Sequence, residues 1–536
     1  MKPNFKHLMQ STTVIQKLGR LRHLLAGGRQ QENDRSTSRG WKRLVFPAMS
    51  LLALAWFLFR VIPKPSRANY PCQRAAFPLA SALVIWVLGF NTSFLSWLGI
   101  NKNYRRLRPF LLVVCGVFAS GLLFAVGEAA KTSHWASTDG PNSPMGVARG
   151  IHPGRVAWDF DPEAVSWNFK GNWWDDAYNR QTNIDQMFSR TIRCVGGGGT
   201  DASAWDAIFH SFNRRLGRGD TGYAAGQKVA VKINMNNTDS HTNNNNINAS
   251  PHTVLALLRQ LVNQAGVAPA SITVFDASRF VTDNIFNKCH KEFPGVVFVD
   301  NIGGDGREKS VYKTNTILYS VKNNTSNGLA TCAIEADYLI NLALLKGHGG
   351  GGVTLCAKNY YGITSINSDW HKNNHIAFTQ RRDGSATYLT FVDWLGHKDL
   401  GGKTLLFIID GLYGCQDVSG APHPKWQTAP FNNQWPSSLF VSQDGVAVDS
   451  VALDFFRTEF PTAKDIAYAD TYLHEAATAN APASGTFYDP DRTGTRLPSL
   501  GTHEHWNNAT NKQYSRNLSP GGTGIELVAV HAETKK

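Results

Sequence analysis

The residues best placed to do chemistry lie in LKGHGGGGVTLCAKNYYG, residues 345–362. Lys346 and His348 precede four consecutive glycines, Gly349, Gly350, Gly351 and Gly352, and Lys358 and Asn359 follow them. A glycine run lets backbone N–H groups turn toward a ligand with no Cβ in the way. Two lysines and a histidine beside such a run make a seat for a phosphate or carboxylate, with the imidazole as general acid or base. The plainer alternative is a flexible surface loop with solvated lysines, and the run matches neither the P-loop nor the dinucleotide fingerprint. Its position favours the site. It directly follows ADYLINLA, residues 336–343, which has the length and composition of a buried strand.

Such a site needs an element set that brings distant residues together. Residues 228–233 (KVAVKI), 271–275 (SITVF), 296–299 (VVFV), 337–342 and 403–409 (KTLLFII) read as strands. Residues 251–266, 281–293, 446–456 and 466–479 read as helices, with Pro251 suited to a first turn and Gly266 to a C-cap. Residues 353–361 can open a further helix. This alternation predicts an α/β fold with a mostly parallel sheet flanked by helices.

In open α/β sheets the ligand crevice lies beyond the carboxyl ends of the strands. Polar residues fall at four of the predicted strand ends: Asn234 with Asn236, Asp276, Lys346 with His348, and Asp410. The expected division of labour has three parts. His348, Lys346, Lys358 and Asp410 would be catalytic. Gly349 to Gly352 and Asn359 would hold the bound group. Asn234, Asp276 and Asp410 would take a divalent metal, or the aspartates would orient the histidine. Each residue also has a structural reading. The aspartates can cap a helix or turn, Asn234 can close an Asx-turn, and His348 can be satisfied beneath the glycines.

Other constellations carry less. His371 and His375 are four apart, as on one helix face, but Asp369, Lys372, Asn373 and Asn374 around them read as an exposed loop. His503 and His505 in THEHW share a face only if that stretch is extended. There is no G-x-S-x-G elbow. Seven cysteines are present without a CxxC pair, which argues against a zinc ribbon and a ferredoxin-type iron–sulfur cluster. Trp158, Trp167, Trp173 and Trp174 read as packing residues rather than a ligand wall.

The net charge of +14 resembles a nucleic-acid binder until it is located. Residues 1–126 hold 18 Lys+Arg against Glu32 and Asp34, and the remainder has 36 basic and 38 acidic residues. The excess belongs to the N-terminal part, so nucleic acid is not expected as a partner. Residues 1–43 read as a basic cytoplasmic tail. Within residues 44–126, three uncharged apolar stretches at 44–59, 77–98 and 110–126 are each near bilayer-spanning length. They predict an N-terminal α-helical membrane anchor of three spans. With the basic tail inside, an odd number of spans sends the rest outward. The expected location is the inner (cytoplasmic) membrane, with the N-terminus cytoplasmic and the following domain periplasmic or extracellular. Residues 127–150, rich in Ser, Gly, Pro and Thr, read as a linker, and 151–536 as a soluble α/β domain.

LINLALLKGHGGGGVTLCAKNYYG resembles the signature of the "domain of unknown function 362" family. FIIDGLYGC at 407–415, DGVAVDSVALDFF at 444–456, and KVAVKINMN at 228–236 followed by SPHTVLALL at 250–258 share the resemblance. It covers roughly residues 225–460 and implies an α/β fold without a settled activity. It marks Lys346, His348, Lys358, Asn359, Asp410, Asp444 and Asp449 as signature positions. Some relatives carry ferredoxin modules, whose cysteine clusters this chain lacks. Three functions are therefore open. One is an outward-facing enzyme acting on a small anionic substrate, metal-assisted or not. The others are a metal- or cofactor-binding redox-accessory protein without turnover, and a structural envelope module that binds glycan or protein.

Overall fold

The computed structural model describes residues 139–321, 326–365, 387–463, 466 and 469–530. The chain divides into two units at Thr132/Ser133, and every described residue belongs to the second. The tail and the three apolar stretches of the expected membrane anchor lie outside the described residues, as do His371 and His375. Among the described residues no helix is long and apolar enough to cross a membrane.

In chain order the main elements are β1 (Met145–Gly146), β2 (Arg155–Phe160), α1 (Gln181–Gly196), α2 (Asp201–Arg215), β3 (Val229–Lys232), α3 (Pro251–Arg259), β4 (Ile272–Asp276) and α4 (Asp283–Glu292). Then come β5 (Val297–Asp300), β6 (Glu308–Lys309), β7 (Tyr312–Leu318), β8 (Ser326–Ala330), α5 (Thr331–Glu335), β9 (Tyr338–His348), β10 (Gly352–Thr354) and α6 (Cys356–Asn359). The chain continues with α7 (Thr390–Gly396), β11 (Thr404–Cys415), β12 (Ser438–Ser442), α8 (Gly445–Glu459), α9 (Thr471–Ala477), β13 (Thr502–His503), α10 (Ser515–Leu518) and β14 (Glu526–Ala529).

The main sheet has ten strands, in the order β14-β2-β12-β11-β9-β3-β4-β5-β6, with β10 paired to β9. The block from β11 through β9, β3, β4 and β5 to β6 is parallel, as the alternating pattern predicts. The antiparallel part was not legible: β12 runs against both β11 and β2. Strands β2 and β12 lie far apart in sequence and are short, so nothing local marks them as partners.

Helices cover both faces. Along β9, Leu339, Ala343 and Leu345 face a core that includes residues of α6, α7, α8 and α9. Tyr338, Ile340, Leu342 and Leu344 face a second core built with α1, α2, α3 and α4. This is the period-two alternation of a strand buried on both sides. Helix α3 starts where expected, with Ser250 accepting from the His252 amide and Pro251 in the first turn. It continues as a π-helical turn over Gln260–Gln264, and Gly266 follows at φ +69. Trp158, Trp167 and Trp173 are buried packing residues, as read from the sequence. Cys194, Cys289, Cys332, Cys356 and Cys415 are all free thiols.

Two central strands are longer than their apolar runs suggest. Strand β9 does not end near Ala343 but carries through Lys346 to His348. It then turns through the glycines into β10, antiparallel to it, with His348 opposite Gly352 and Lys346 opposite Thr354. Gly352 has φ +78, a conformation that disfavours any side chain. The glycine run is therefore a hairpin turn and not a strand-to-helix loop. Strand β11 likewise runs past Asp410 to Cys415.

Candidate functional site

The parallel strands deliver polar side chains to one small hollow of about 20 Å³, open on one side. Its lining includes Lys232 and Asn234 from the end of β3, Asp276 from the end of β4, His348 from β9, and Lys358 and Asn359 from α6. Arg279, Tyr361 and Gly362 also contribute. Of the predicted residues, Asn234, Asp276, His348, Lys358 and Asn359 are thus brought together. Lys232, Arg279 and Gly362 were missed. Lys232 reads as one more residue of a β-strand, and Gly362 as the end of a motif rather than part of a wall.

Lys232 is fully buried and ion-pairs with Asp276 at 3.2 Å. Its ammonium donates to the Ile233 carbonyl (2.5 Å) and to Asn359 Oδ1 (3.2 Å). Burial pulls its pKa down, opposed by Asp276. The Asp276 carboxylate also accepts from the Met235 amide (2.8 Å) and from the amide and hydroxyl of Ser278 (3.2 and 3.1 Å). Asn359 is fixed by donating to Asn341 Oδ1 (2.8 Å) and to the carbonyls of Lys232 and Leu342. A Cβ on Gly362 would lie 2.6 Å from Lys232 Nζ and 2.7 Å from Asp276 Oδ1, so the ion pair packs directly on bare backbone.

Lys358 and Lys346 are both buried. Burial, reinforced by the fields of Lys346 and Lys232, pushes Lys358 down to about 7. Its ammonium lies 4.1 Å from the centre of the Tyr361 ring. Burial likewise brings Lys346 to about 7, with Cys415 and Asp276 acting the other way. Lys346 donates to the Ile247 carbonyl at 3.4 Å. It supplies charge behind the hollow rather than lining it.

The glycine amides do not form the expected cradle. Those of Gly350 and Gly351 donate to His348 Nδ1 (3.0 and 2.9 Å), and Gly352 is held in the hairpin. An Nδ1 that accepts two N–H bonds carries no proton, so the neutral ring bears its proton on Nε2.

Asp410 does not line the hollow, so neither a catalytic role there nor the metal trio Asn234–Asp276–Asp410 is assembled. It lies inside β11 and accepts from the Leu412 amide (3.0 Å) and the Ser250 amide (3.4 Å), anchoring the start of α3. Burial raises it to about 6. Asp276 in turn is spent on Lys232 and its hydrogen bonds. Asn234 accepts from the Asn236 amide at 3.2 Å, closing the Asx-turn.

The other two signature aspartates position elements. Asp444 caps α8 by accepting from the amides of Val446 and Ala447. Asp449 accepts from the Cys356 and Ala357 amides (2.8 and 3.0 Å) and from Tyr472 (3.0 Å). It thereby holds the start of α6, the four-residue helix that carries Lys358 and Asn359.

His503 and His505 fall in a second cluster, with Asp139 and His474. Ligand atoms of Asp139, His503 and His505 all lie within 4.8 Å of one another. His474 Nε2 is 2.5 Å from Asp139 Oδ2. Burial, with His474 and His505 beside it, holds His503 well below the usual histidine range. Burial opposes charge on His505 too, yet Asp454 and Asp470 push it up to about 9. Asp139 and His474 escaped the sequence reading because they lie hundreds of residues apart and outside any motif.

The fold and hollow define the class: a mostly parallel α/β protein with a cation-lined crevice at its strand ends. Residues 229–454 match the family model described as Domain of unknown function (DUF362). The chain is thus similar to that family over the stretch from β3 to α8, which holds the hollow. A comparison with curated proteins gave no match.

Proposed function

We propose that this chain is a membrane-anchored, outward-facing α/β enzyme. Its substrate would be a small molecule bearing a phosphate or carboxylate, seated in the hollow beside Lys358. One observation carries the reading: Lys232, Lys346, Lys358 and Arg279 gather at or behind a hollow whose lining has Asp276 as its one carboxylate among the described residues. Lys346 and Lys358 sit near 7, so they are poised to take up protons when an anion arrives. His348, bearing its proton on Nε2, is set to donate to a bound oxygen or to protonate a leaving group. The anchor and the outward orientation rest on the three apolar stretches and the basic tail.

The test is thermal unfolding of the full chain with inorganic phosphate and small dicarboxylates. A ligand that binds the folded state raises the melting temperature. The rise should vanish in Lys358→Met and persist in Asp410→Asn, because Asp410 serves α3 and not the hollow. His348→Ala should keep the anion-induced rise and lose turnover of any substrate identified. Absence of a rise with every anion, or a rise untouched by Lys358→Met, would remove the proposal. Recovery in the membrane fraction, with the second unit open to protease from outside the cell, tests the topology.

A further inference from the structure

Away from the hollow, the segment read as a linker meets the C-terminal part of the chain. Strand β1 pairs with β13, setting Met145 opposite His503. Asp139 lies just before β1, and His474 is on α9. The His474 and His503 rings stand 4.9 Å apart, as do those of His503 and His505. We infer that Nε2 of His474, His503 and His505 together with the Asp139 carboxylate form a site for a divalent transition metal of the zinc type.

Hydrogen bonds set two of the imidazoles for ligation. Ser450 gives its hydroxyl proton to the Val446 carbonyl (2.7 Å) and is 2.8 Å from His503 Nδ1. The serine oxygen must therefore accept from Nδ1–H, which leaves the lone pair of His503 on Nε2. That nitrogen is fully buried and has no hydrogen-bond partner among the described residues. His505 Nδ1 is 2.6 Å from Asp454 Oδ1, and the other oxygen of that carboxylate, Oδ2, accepts from the Trp506 amide and the Tyr514 hydroxyl. Such a carboxylate–histidine pair orients an imidazole toward a metal on its other nitrogen. Asp470, 3.6 Å from His505 Nε2, pairs with Arg457 at 3.0 Å.

The charges agree with a dication. Among the described residues, the carboxylates of Asp139, Asp454 and Asp470 surround the cluster, and Asp470 pairs with the Arg457 guanidinium. Three nitrogen ligands and one oxygen suit tetrahedral Zn²⁺, whose ligand atoms stand about 3.4 Å apart at bonds of about 2.0–2.1 Å. The spread of up to 4.8 Å among the ligand atoms of Asp139, His503 and His505 needs a contraction of about 1 Å in side-chain positions, while His474 Nε2, 2.5 Å from Asp139 Oδ2, must move about 1 Å away from it. Four protein ligands make a closed, structural site. It would clasp the chain just before β1 to the β13 segment.

The experiment uses the full purified chain, stripped with a chelator and then titrated with Zn²⁺ alone and Co²⁺ alone. The expected result is about one equivalent of either, visible Co²⁺ absorption typical of tetrahedral coordination, and a higher melting temperature. His503→Ala should abolish uptake. If that buried change prevents folding, Asp139→Asn and His474→Gln at the partly exposed rim serve instead. Ser450→Ala, which removes only an outer partner, should weaken Zn²⁺ binding by roughly 10–100-fold. Lys358→Met should leave uptake unchanged, which keeps this result separate from the anion hollow. A folded wild-type chain that takes up neither metal would overturn the inference. So would one that binds equally well after Asp139→Asn and His474→Gln.

Discussion

Replacing Lys358 by methionine should make the protein more stable while disabling the hollow. In the unfolded chain a lysine titrates near 10.4, whereas buried Lys358 is held at about 7. A difference of about 3.5 pKa values at about 1.4 kcal/mol each makes burial of the charged form cost about 5 kcal/mol at acid pH. The Tyr361 ring, 4.1 Å from the ammonium, returns about 2 kcal/mol in a desolvated setting. Methionine has similar length and carries no charge, so the variant should gain about 3 kcal/mol near pH 6. The sign with pH follows from proton counts. Between about 7 and 10.5 the folded protein binds fewer protons than the unfolded chain, so this lysine makes wild-type stability rise with pH. The variant loses that rise, and its advantage should be full below about pH 7 and shrink steadily above it. Calorimetric melting of both proteins at a series of pH values between about 6 and 9, with and without phosphate, reads both effects. A variant less stable than wild type near pH 6, or one whose advantage does not change between about pH 7 and 9, would refute the reasoning. A residue that destabilises the fold it belongs to fits a functional site better than a packing role.

Two further perturbations probe the scaffold around the hollow. Gly362→Ala puts a methyl group against the Lys232–Asp276 pair, and the contact is too short to stand. It should cost about 1–3 kcal/mol and weaken phosphate binding, with melting temperature and anion titration as readouts. Asp449→Ala removes the acceptor for two buried amides and the Tyr472 hydroxyl. Unsatisfied buried donors cost about 1–3 kcal/mol each, so a drop of several kcal/mol is expected. Hydrogen exchange should rise first at the Cys356 and Ala357 amides, ahead of global unfolding.

The sequence by itself determined the parallel half of the sheet. Residues of β3, β4, β5, β9 and β11 are contiguous apolar runs between helical repeats, and a strand buried on both faces has no other appearance. It also located the carboxyl-end residues Asn234, Asp276 and His348, because chain direction and strand ends are local properties. It placed Lys358 and Asn359 near the site by their closeness to His348.

Tertiary structure decided the rest. Asp410 and Asp276 look alike at the ends of apolar runs, yet β11 continues five residues past Asp410, and pairing with β12 and β9 keeps that carboxylate under α3. The glycines read as a phosphate cradle, but pairing of β10 with β9 turned their amides onto His348 Nδ1. Lys232 gave no signal, since a charged residue at a strand end is ordinary until Asp276 from the next strand lies 3.2 Å away. The Asp139–His474–His503–His505 cluster was hidden for the same reason. Local patterns report which backbone state a segment adopts, but which side chains meet is set by long-range pairing of segments, and that information is spread over the whole chain.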